Sequence, residues 1–425
     1  MRVAVISMHT CPLAMLGGKK SGGMNVYVRF LSETLGEMGI KVDIYTRLDA
    51  RCQPQVHQSL GDNVRVVHLE AGPYSPIHTD ALADHVTEFT TSLVEFVSND
   101  EEVSSFSDYD VIHSHYWLSG LVAGELNTLL PEPIPVLQMF HTLGHLKNIY
   151  AIDGQDIVSP VRLTAEEQIV SEVANKIIAA SQNEADELVT HYGANPEAIV
   201  QVPPGVDLER FSPRSADTAK EAINVDCGEQ LIVFAGRIEK LKGIDTLLRA
   251  MDILEESQSD DDPKRCVVIV GGDPWADDPE PEMYRLQKLT QELEIGSHVA
   301  FVGAKDQYSL PNYFAAADVV VMPSHYESFG MVALEAMAMG KPVIASEVGG
   351  LSDLVVDGVN GLHVPSRDAA SLASAIGKVL GNPEFAKKLA TQAGEDAAKF
   401  NWQIIATRIV DVYESLVDEQ LVAKR

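Results

Sequence analysis

The sequence is short of positive charge, of cysteine and of long apolar runs, and each shortage excludes a class of function. Its 32 Lys and Arg stand against 62 Asp and Glu, a formal charge of −30 over 425 residues. Nucleic acids and anionic lipid surfaces are gripped by broad Lys/Arg patches that release counterions, so neither polyanion is an expected partner. Any phosphate site must be local. The four cysteines, Cys11, Cys52, Cys227 and Cys266, are far apart without a C-x-x-C pair. That spacing excludes a zinc ribbon and a dithiol redox motif, and a reducing cytoplasm is the expected location. No apolar stretch approaches the roughly 18 to 20 residues that cross a bilayer. Residues 1–7 lack the basic start and cleavage site of a signal peptide. G-x-G-x-x-G is absent, which argues against a nicotinamide oxidoreductase.

What remains is an ordinary globular composition, 45% hydrophobic and 22% charged. A chain of this length exceeds one core and divides naturally into two domains. Residues 2–7 read as a strand buried on both faces, 25–38 as a helix stopped by Gly39, and 41–46 as another strand. Short apolar runs recur at 64–69, 111–114, 136–140 and 176–180, separated by helical stretches, which predicts a parallel sheet. Turn residues accumulate around Pro203-Pro204-Gly205 and Phe211-Ser212-Pro213. A second series follows at 231–235, 267–270, 299–302, 319–322, 343–346 and 361–364. The expected division is 1–205, 206–401, and a helical tail, 402–425, that either caps its own sheet or crosses back to the first domain. The acidic stretch SQSDDDPK reads as a solvated loop.

Open parallel sheets bind ligands beyond the carboxyl ends of their strands, so the first loop of each half is the place to look. The first ends Ser21-Gly22-Gly23-Met24-Asn25 before a helix, where N–H groups and missing Cβ atoms admit a phosphate; a plain turn is the alternative. In the second, GRIEKLKG from Gly236, Arg237 and Lys242 stand at a strand's carboxyl edge, and two cations there suit a diphosphate. Lys240 is expected to face water. The segment PSHYESFGMVALEAMAMG reads as strand end, loop, and a helix from near Gly330. Glu327 in that loop and Glu335 about one and a half turns into the helix can reach one cleft. Glu335 lies among apolar neighbours, where an unpartnered charge is costly. His113 and His115 in HSHYWLSG, and His141 and His145 in HTLGHLKN, sit at strand ends. Each taken alone is more often a core residue than a ligand, and their spacing makes no recognisable metal set.

In this order the segments resemble the retaining glycosyltransferases of family 4, the group that includes sucrose-phosphate synthases, phosphatidylinositol mannosyltransferases and D-inositol-3-phosphate glycosyltransferases. The resemblance spans nearly the whole chain. It implies an α/β fold of GT-B type, two Rossmann-like doubly wound domains facing across a cleft, with the donor held mainly by the C-terminal one. Arg237 and Lys242 match the residues that bind the donor diphosphate, Gly23 a backbone donor to the same group, and Glu327 the residue at the transferred sugar. Glu335 matches a ribose ligand, and Phe329, Gly330 and Met331 stand beside the donor at the helix start. His141 matches a histidine against the donor sugar near the reaction centre. His9, Asn25, Tyr116, Thr142 and Arg162 match acceptor contacts of the inositol-phosphate enzymes. There is one departure: where those enzymes place a lysine for the acceptor phosphate, GPYSPIHTDAL has Thr79, with His78 as a possible substitute.

The implied activity is transfer of a hexosyl group (glucosyl, N-acetylglucosaminyl or mannosyl) from a nucleotide-diphosphate sugar, UDP-sugar foremost, to a small soluble polyol, sugar or sugar phosphate. Leaving-group charge is met by Arg237, Lys242 and a helix N-terminus, so neither a metal nor a further cofactor is required. Asp108-Tyr109-Asp110 matches a metal-binding Asp-x-Asp in letters but precedes its strand. A stable membrane association is not expected, because the candidate helix over 80–97 is acidic rather than basic. Dimerisation is left open. A sugar-nucleotide 2-epimerase and a non-catalytic nucleotide-sugar binder share the architecture and stand as alternatives.

Overall fold

The computed structural model describes residues 1–14, 22–50, 54–75, 77–151, 157–226, 228–256, 259, 262–276 and 280–424. Ser21 of the glycine-rich motif, Cys52, Cys227 and residues 257, 258, 260 and 261 of the acidic stretch lie outside the described residues. The chain forms two compact units, one made of Met1–Ala14, Gly23–Pro203 and Trp402–Arg425, the other chiefly of Pro204–Asn401.

In the first unit the strands are β1 (Arg2–Ile6), β2 (Lys41–Arg47), β3 (Val56–His57), β4 (Val64–Leu69), β5 (Val111–His115), β6 (Val136–Met139), β7 (Lys176–Ala179) and β8 (Ile199–Gln201). They make one sheet in the order β3-β4-β2-β1-β5-β6-β7-β8. Among the described residues only the short edge strand β3 runs antiparallel, against β4. Val3 to Ile6 are wholly buried, as a central strand covered on both faces requires. From β1 the chain winds outward through β2 and β4, then returns to the other side of β1 at β5. The order therefore reverses between β1 and β5, and a crevice is expected beyond their carboxyl ends.

The second unit repeats the scheme with β9 (Gln230–Ala235), β10 (Arg265–Val270), β11 (Val299–Gly303), β12 (Val319–Met322), β13 (Val343–Ser346) and β14 (Leu362–Val364). All neighbours are parallel, in the order β11-β10-β9-β12-β13-β14. Here the reversal falls between β9 and β12. One core of buried Ile, Leu, Val, Phe and Met side chains, including Phe234, Leu247, Ile269 and Ile376, fastens helices to this sheet. Cys11 is a free thiol and Cys266 is disulfide-bonded, a state that a reducing location does not lead one to expect. No helix among the described residues is long and apolar enough to cross a membrane.

The final helix, Trp402–Ala423, belongs to the first unit. Trp402 is 6% exposed, stacks on Phe30 at 6.2 Å between ring centres and meets Tyr27 edge-on at 5.6 Å. Further along, the Tyr413 hydroxyl lies 2.7 Å from His113 Nδ1 inside the core. Replacing a buried aromatic of this size with alanine costs about 3 to 5 kcal/mol. Trp402→Ala should therefore lower the urea midpoint of the first unit sharply. A loss below about 1 kcal/mol in that titration would mean that the helix is an appendage rather than part of the core.

Candidate active site

The reversal point of the second sheet brings two loops together. β9 ends at Ala235, and beyond Gly236 the chain makes a single turn of 3-10 helix, Lys240–Lys242, closed by Gly243 at φ +63°. A Cβ on Gly243 would stand 2.0 Å from the carbonyl oxygen of Pro323, the residue after β12. Only glycine permits that approach. His325 N–H then donates to the Leu241 carbonyl at 2.7 Å, tying the loops together. The result is that Lys242 Nζ donates to Glu327 Oε2 at 2.6 Å, with side chains only 16% and 17% exposed. A second pair of glycines fixes Glu327 from behind. Gly350 N–H donates to the Glu327 carbonyl at 2.9 Å, and a Cβ on Gly349 would lie 2.1 Å from that same oxygen. Arg237 reaches its own loop instead, with Nη1 2.7 Å from Glu239 Oε1, and is nearly half exposed.

Gly330, at φ +101°, starts the helix Met331–Ala338, and Phe329 before it is buried with its ring 5.9 Å from that of Phe400. Glu335 is buried inside this helix and accepts from Gln307 Nε2 at 3.3 Å. Burial pushes its carboxyl up to about 8, against the opposing pull of the Gln307 hydrogen bond and the charge of Arg210. At neutral pH the carboxyl therefore keeps its proton.

In the first unit the crevice beyond β1 and β5 holds a second polar group. Tyr116, at φ +73°, opens the helix Tyr116–Leu129 directly after β5, and His141, at φ +61°, follows β6. Non-glycine residues held in this region cost about 1 to 3 kcal/mol each and cluster where geometry serves function. His9 lies against the Tyr116 ring at 4.4 Å between centres. The buried Arg162 donates to the Tyr116 hydroxyl at 2.8 Å, to the Thr142 carbonyl at 2.8 Å and to Thr142 Oγ1 at 3.1 Å. Its Nε donates to Glu166 Oε1 at 2.7 Å, and Glu166 Oε2 accepts from Gly144 N–H at 2.8 Å and from the Tyr192 hydroxyl. Asn25 Nδ2 donates to Thr10 Oγ1 at 2.6 Å and to the Cys11 carbonyl at 2.8 Å. A cation with fixed partners thus stands near each sheet reversal, Lys242 in the second unit and Arg162 in the first, where doubly wound sheets bind phosphate-bearing ligands.

Residues 21–210 match the family described as Glycosyltransferase Family 4, and residues 215–396 match Glycosyl transferases group 1. The D-inositol 3-phosphate glycosyltransferase of Saccharomonospora viridis is 39% identical over 415 residues, spanning 97% of this chain and 93% of its own length. D-inositol 3-phosphate glycosyltransferase 2 of Catenulispora acidiphila is 38% identical over 420 residues, 98% of this chain and 96% of its own. The chain belongs to glycosyltransferase family 4. The sucrose-phosphate synthase of Thermosynechococcus elongatus superposes with a TM-score of 0.86 at 34% identity, covering 100% of both chains. Anabaena HepE, solved with UDP and glucose, has a TM-score of 0.74 at 18% identity, with 98% of this chain and 100% of its own covered, and shares the fold. The fold is GT-B, and the protein is a glycosyltransferase.

Placed on this transferase, the residues singled out from the sequence fall into two sets. Arg237, Lys242, Glu327, Phe329, Gly330, Met331 and Glu335 lie in the second unit, and His9, Asn25, Tyr116, His141, Thr142 and Arg162 in the first, where Gly23 begins the helix Gly23–Glu37. Lys242 and Glu327 meet directly, whereas Arg237 and Glu335 have partners of their own, Glu239 and Gln307. His145 is not at a strand end but in the short helix Gly144–Ile149. Glu166 and Tyr192 escaped the sequence reading. The i,i+4 spacing of Arg162 and Glu166 was a visible signal, but nothing local announces Tyr192. At the segment carrying Thr79, the guanidinium of Arg47 holds the chain by donating to the Pro73 and Ser75 carbonyls at 2.8 and 3.0 Å.

The position of Glu335 sets a pH dependence. Its folded-state pKa, about 8, lies above the unfolded value, so its contribution to stability is complete below about pH 4.5 and is lost as pH rises through 8. Glu335→Gln keeps the shape of the neutral form and should flatten the fall in urea midpoint between about pH 4.5 and 8. Parallel slopes for the two proteins would locate that pH dependence elsewhere.

Proposed function

We propose that this transferase moves a hexosyl group, with retained anomeric configuration, from a UDP-sugar to a small soluble polyol, sugar or sugar phosphate. The Lys242–Glu327 ion pair at the reversal of the second sheet carries the reading: a nucleoside diphosphate leaving group needs a fixed cation, and the transferred sugar needs a fixed hydroxyl acceptor beside it. On this reading Lys242 and Arg237 neutralise the diphosphate, with the N-terminus of the helix Met331–Ala338 adding N–H donors and a favourable dipole. Glu327 accepts from a hydroxyl of the transferred sugar, Glu335 holds the ribose, and Gly23 gives its N–H to the diphosphate.

The acceptor set is His9, Asn25, Tyr116, Thr142 and Arg162, with His141 against the donor sugar. Arg162 is presented flat by the Tyr116 hydroxyl, Thr142 and Glu166, a fork suited to an anionic or polyhydroxylated acceptor. The acceptor hydroxyl attacks on the face the diphosphate leaves, and its proton passes to a phosphate oxygen, so that the bond to the acceptor forms as the sugar–phosphate bond breaks. The names of the inositol-phosphate and sucrose-phosphate relatives support a small hydroxylated acceptor.

A matrix of nucleotide-sugar donors against polyols, sugars and their phosphates, read by diphosphate release and product mass, tests this directly. Stoichiometric release with a glycoside product is the expected result, whereas an altered nucleotide sugar without release would indicate an epimerase. Lys242→Ala should lower kcat about 10² to 10³-fold while leaving the fold intact. A wild-type rate in that variant would remove Lys242 from the chemistry.

A further inference from the structure

We propose that His115 is a positioning residue for His141, sharing one proton with it and thereby fixing which nitrogen of that ring carries hydrogen at the sugar. The inference rests on the reading that His141 lies against the donor sugar. His115 ends β5 and His141 follows the neighbouring β6, and their side chains meet with His115 Nδ1 3.0 Å from His141 Nε2. A neutral imidazole has one N–H and one bare nitrogen, so this contact exists only when one ring donates and the other accepts. The two tautomers are therefore coupled. Because Nε2 of His141 is engaged inward, Nδ1 is the nitrogen left for a ligand.

Three further observations hold the pair in place. Tyr27 presents its ring edge-on to both histidines, with centres 5.7 Å and 5.3 Å away. His113 lies against His115 at 4.2 Å between ring centres and is itself tied by its Nδ1 to the Tyr413 hydroxyl at 2.7 Å. His141 keeps a left-handed backbone at φ +61°, which a non-glycine residue adopts only when its surroundings over-determine it. Burial drives all three rings toward the neutral form, His113 and His141 to about 3 and His115 well below the usual range. A neutral, confined ring beside a reacting sugar is useful only if its single proton sits on a defined nitrogen.

Long-range 1H–15N imidazole spectra of the whole protein labelled at histidine report the tautomers without reference to activity. In the wild type His141 is expected as a single tautomer; an even mixture would overturn the coupling. His115→Leu should mix the His141 tautomers and lower kcat about 10 to 100-fold, with the donor KM within about twofold. His115→Asn, whose amide falls near the lost Nδ1, should restore both readouts in large part. A tautomer change in the leucine variant with kcat unaltered would refute the positioning role. Full activity of His141→Ala would instead refute the placement of His141 at the sugar, a failure distinct from that of the tautomer coupling.

Discussion

The second unit is organised around a contact between backbones. β9 and β12 are neighbours in the sheet although 83 residues separate the end of one from the start of the other, at Ala235 and Val319 in the residue ranges. Their following loops can close on each other only where side chains are missing. Gly243 against Pro323 and Gly349 against Glu327 are such places, each with room for hydrogen and not for carbon. The ion pair of Lys242 and Glu327 follows from those two approaches. Its geometry comes from strand order and glycine placement more than from the pair's own attraction, which at partly buried sites is offset by desolvation.

The first unit reaches a polar site by a different route. Its reversal between β1 and β5 carries bulky residues in left-handed conformations, and the strain at Tyr116 and His141 is offset by buried polar contacts. Arg162, Glu166, Tyr192, Thr142 and Tyr116 satisfy one another within a few ångströms, so that a guanidinium and a carboxylate can both be buried. The final helix adds to this from the rear through Tyr413 and His113. Secondary structure at the far end of the sequence is thus in contact with the histidine layer beneath the site.

The fold was legible because parallel strands buried on both faces are written as short apolar runs. β4, β12 and β13 fall on the residues read as strands, while β3 and β8, two and three residues long, are too short to show a period. Gly39 marked a real turn, because a positive φ leaves few other choices. Lys242 and Glu327 were legible as a cation and an acid in separate loops, but their meeting depends on strand order, which no local pattern records. The partners of Arg237 and Glu335 were hidden for the same reason. Glu239 carried no signal beyond its place in GRIEKLKG, and Gln307 lies in a loop with no motif. Tyr192 was the least visible, since its hydroxyl reaches across 26 residues to Glu166.

Each cation proposed to meet a substrate already has a carboxylate: Lys242 has Glu327, Arg237 has Glu239 and Arg162 has Glu166. In a chain of formal charge −30 this keeps any bare positive charge from being buried before substrate arrives. On the proposed roles it also makes binding an exchange of partners. A nucleoside diphosphate alone would take Lys242 and leave the Glu327 carboxylate without a donor, which is costly at a site only 17% exposed. A complete nucleotide sugar brings its own hydroxyl for that carboxylate, so both halves of the pair find new partners at once. When the sugar has moved to the acceptor, Glu327 loses its hydroxyl and competes again for Lys242. On the proposed roles, the ion pair that discriminates against the bare diphosphate on entry also favours its departure once transfer is complete.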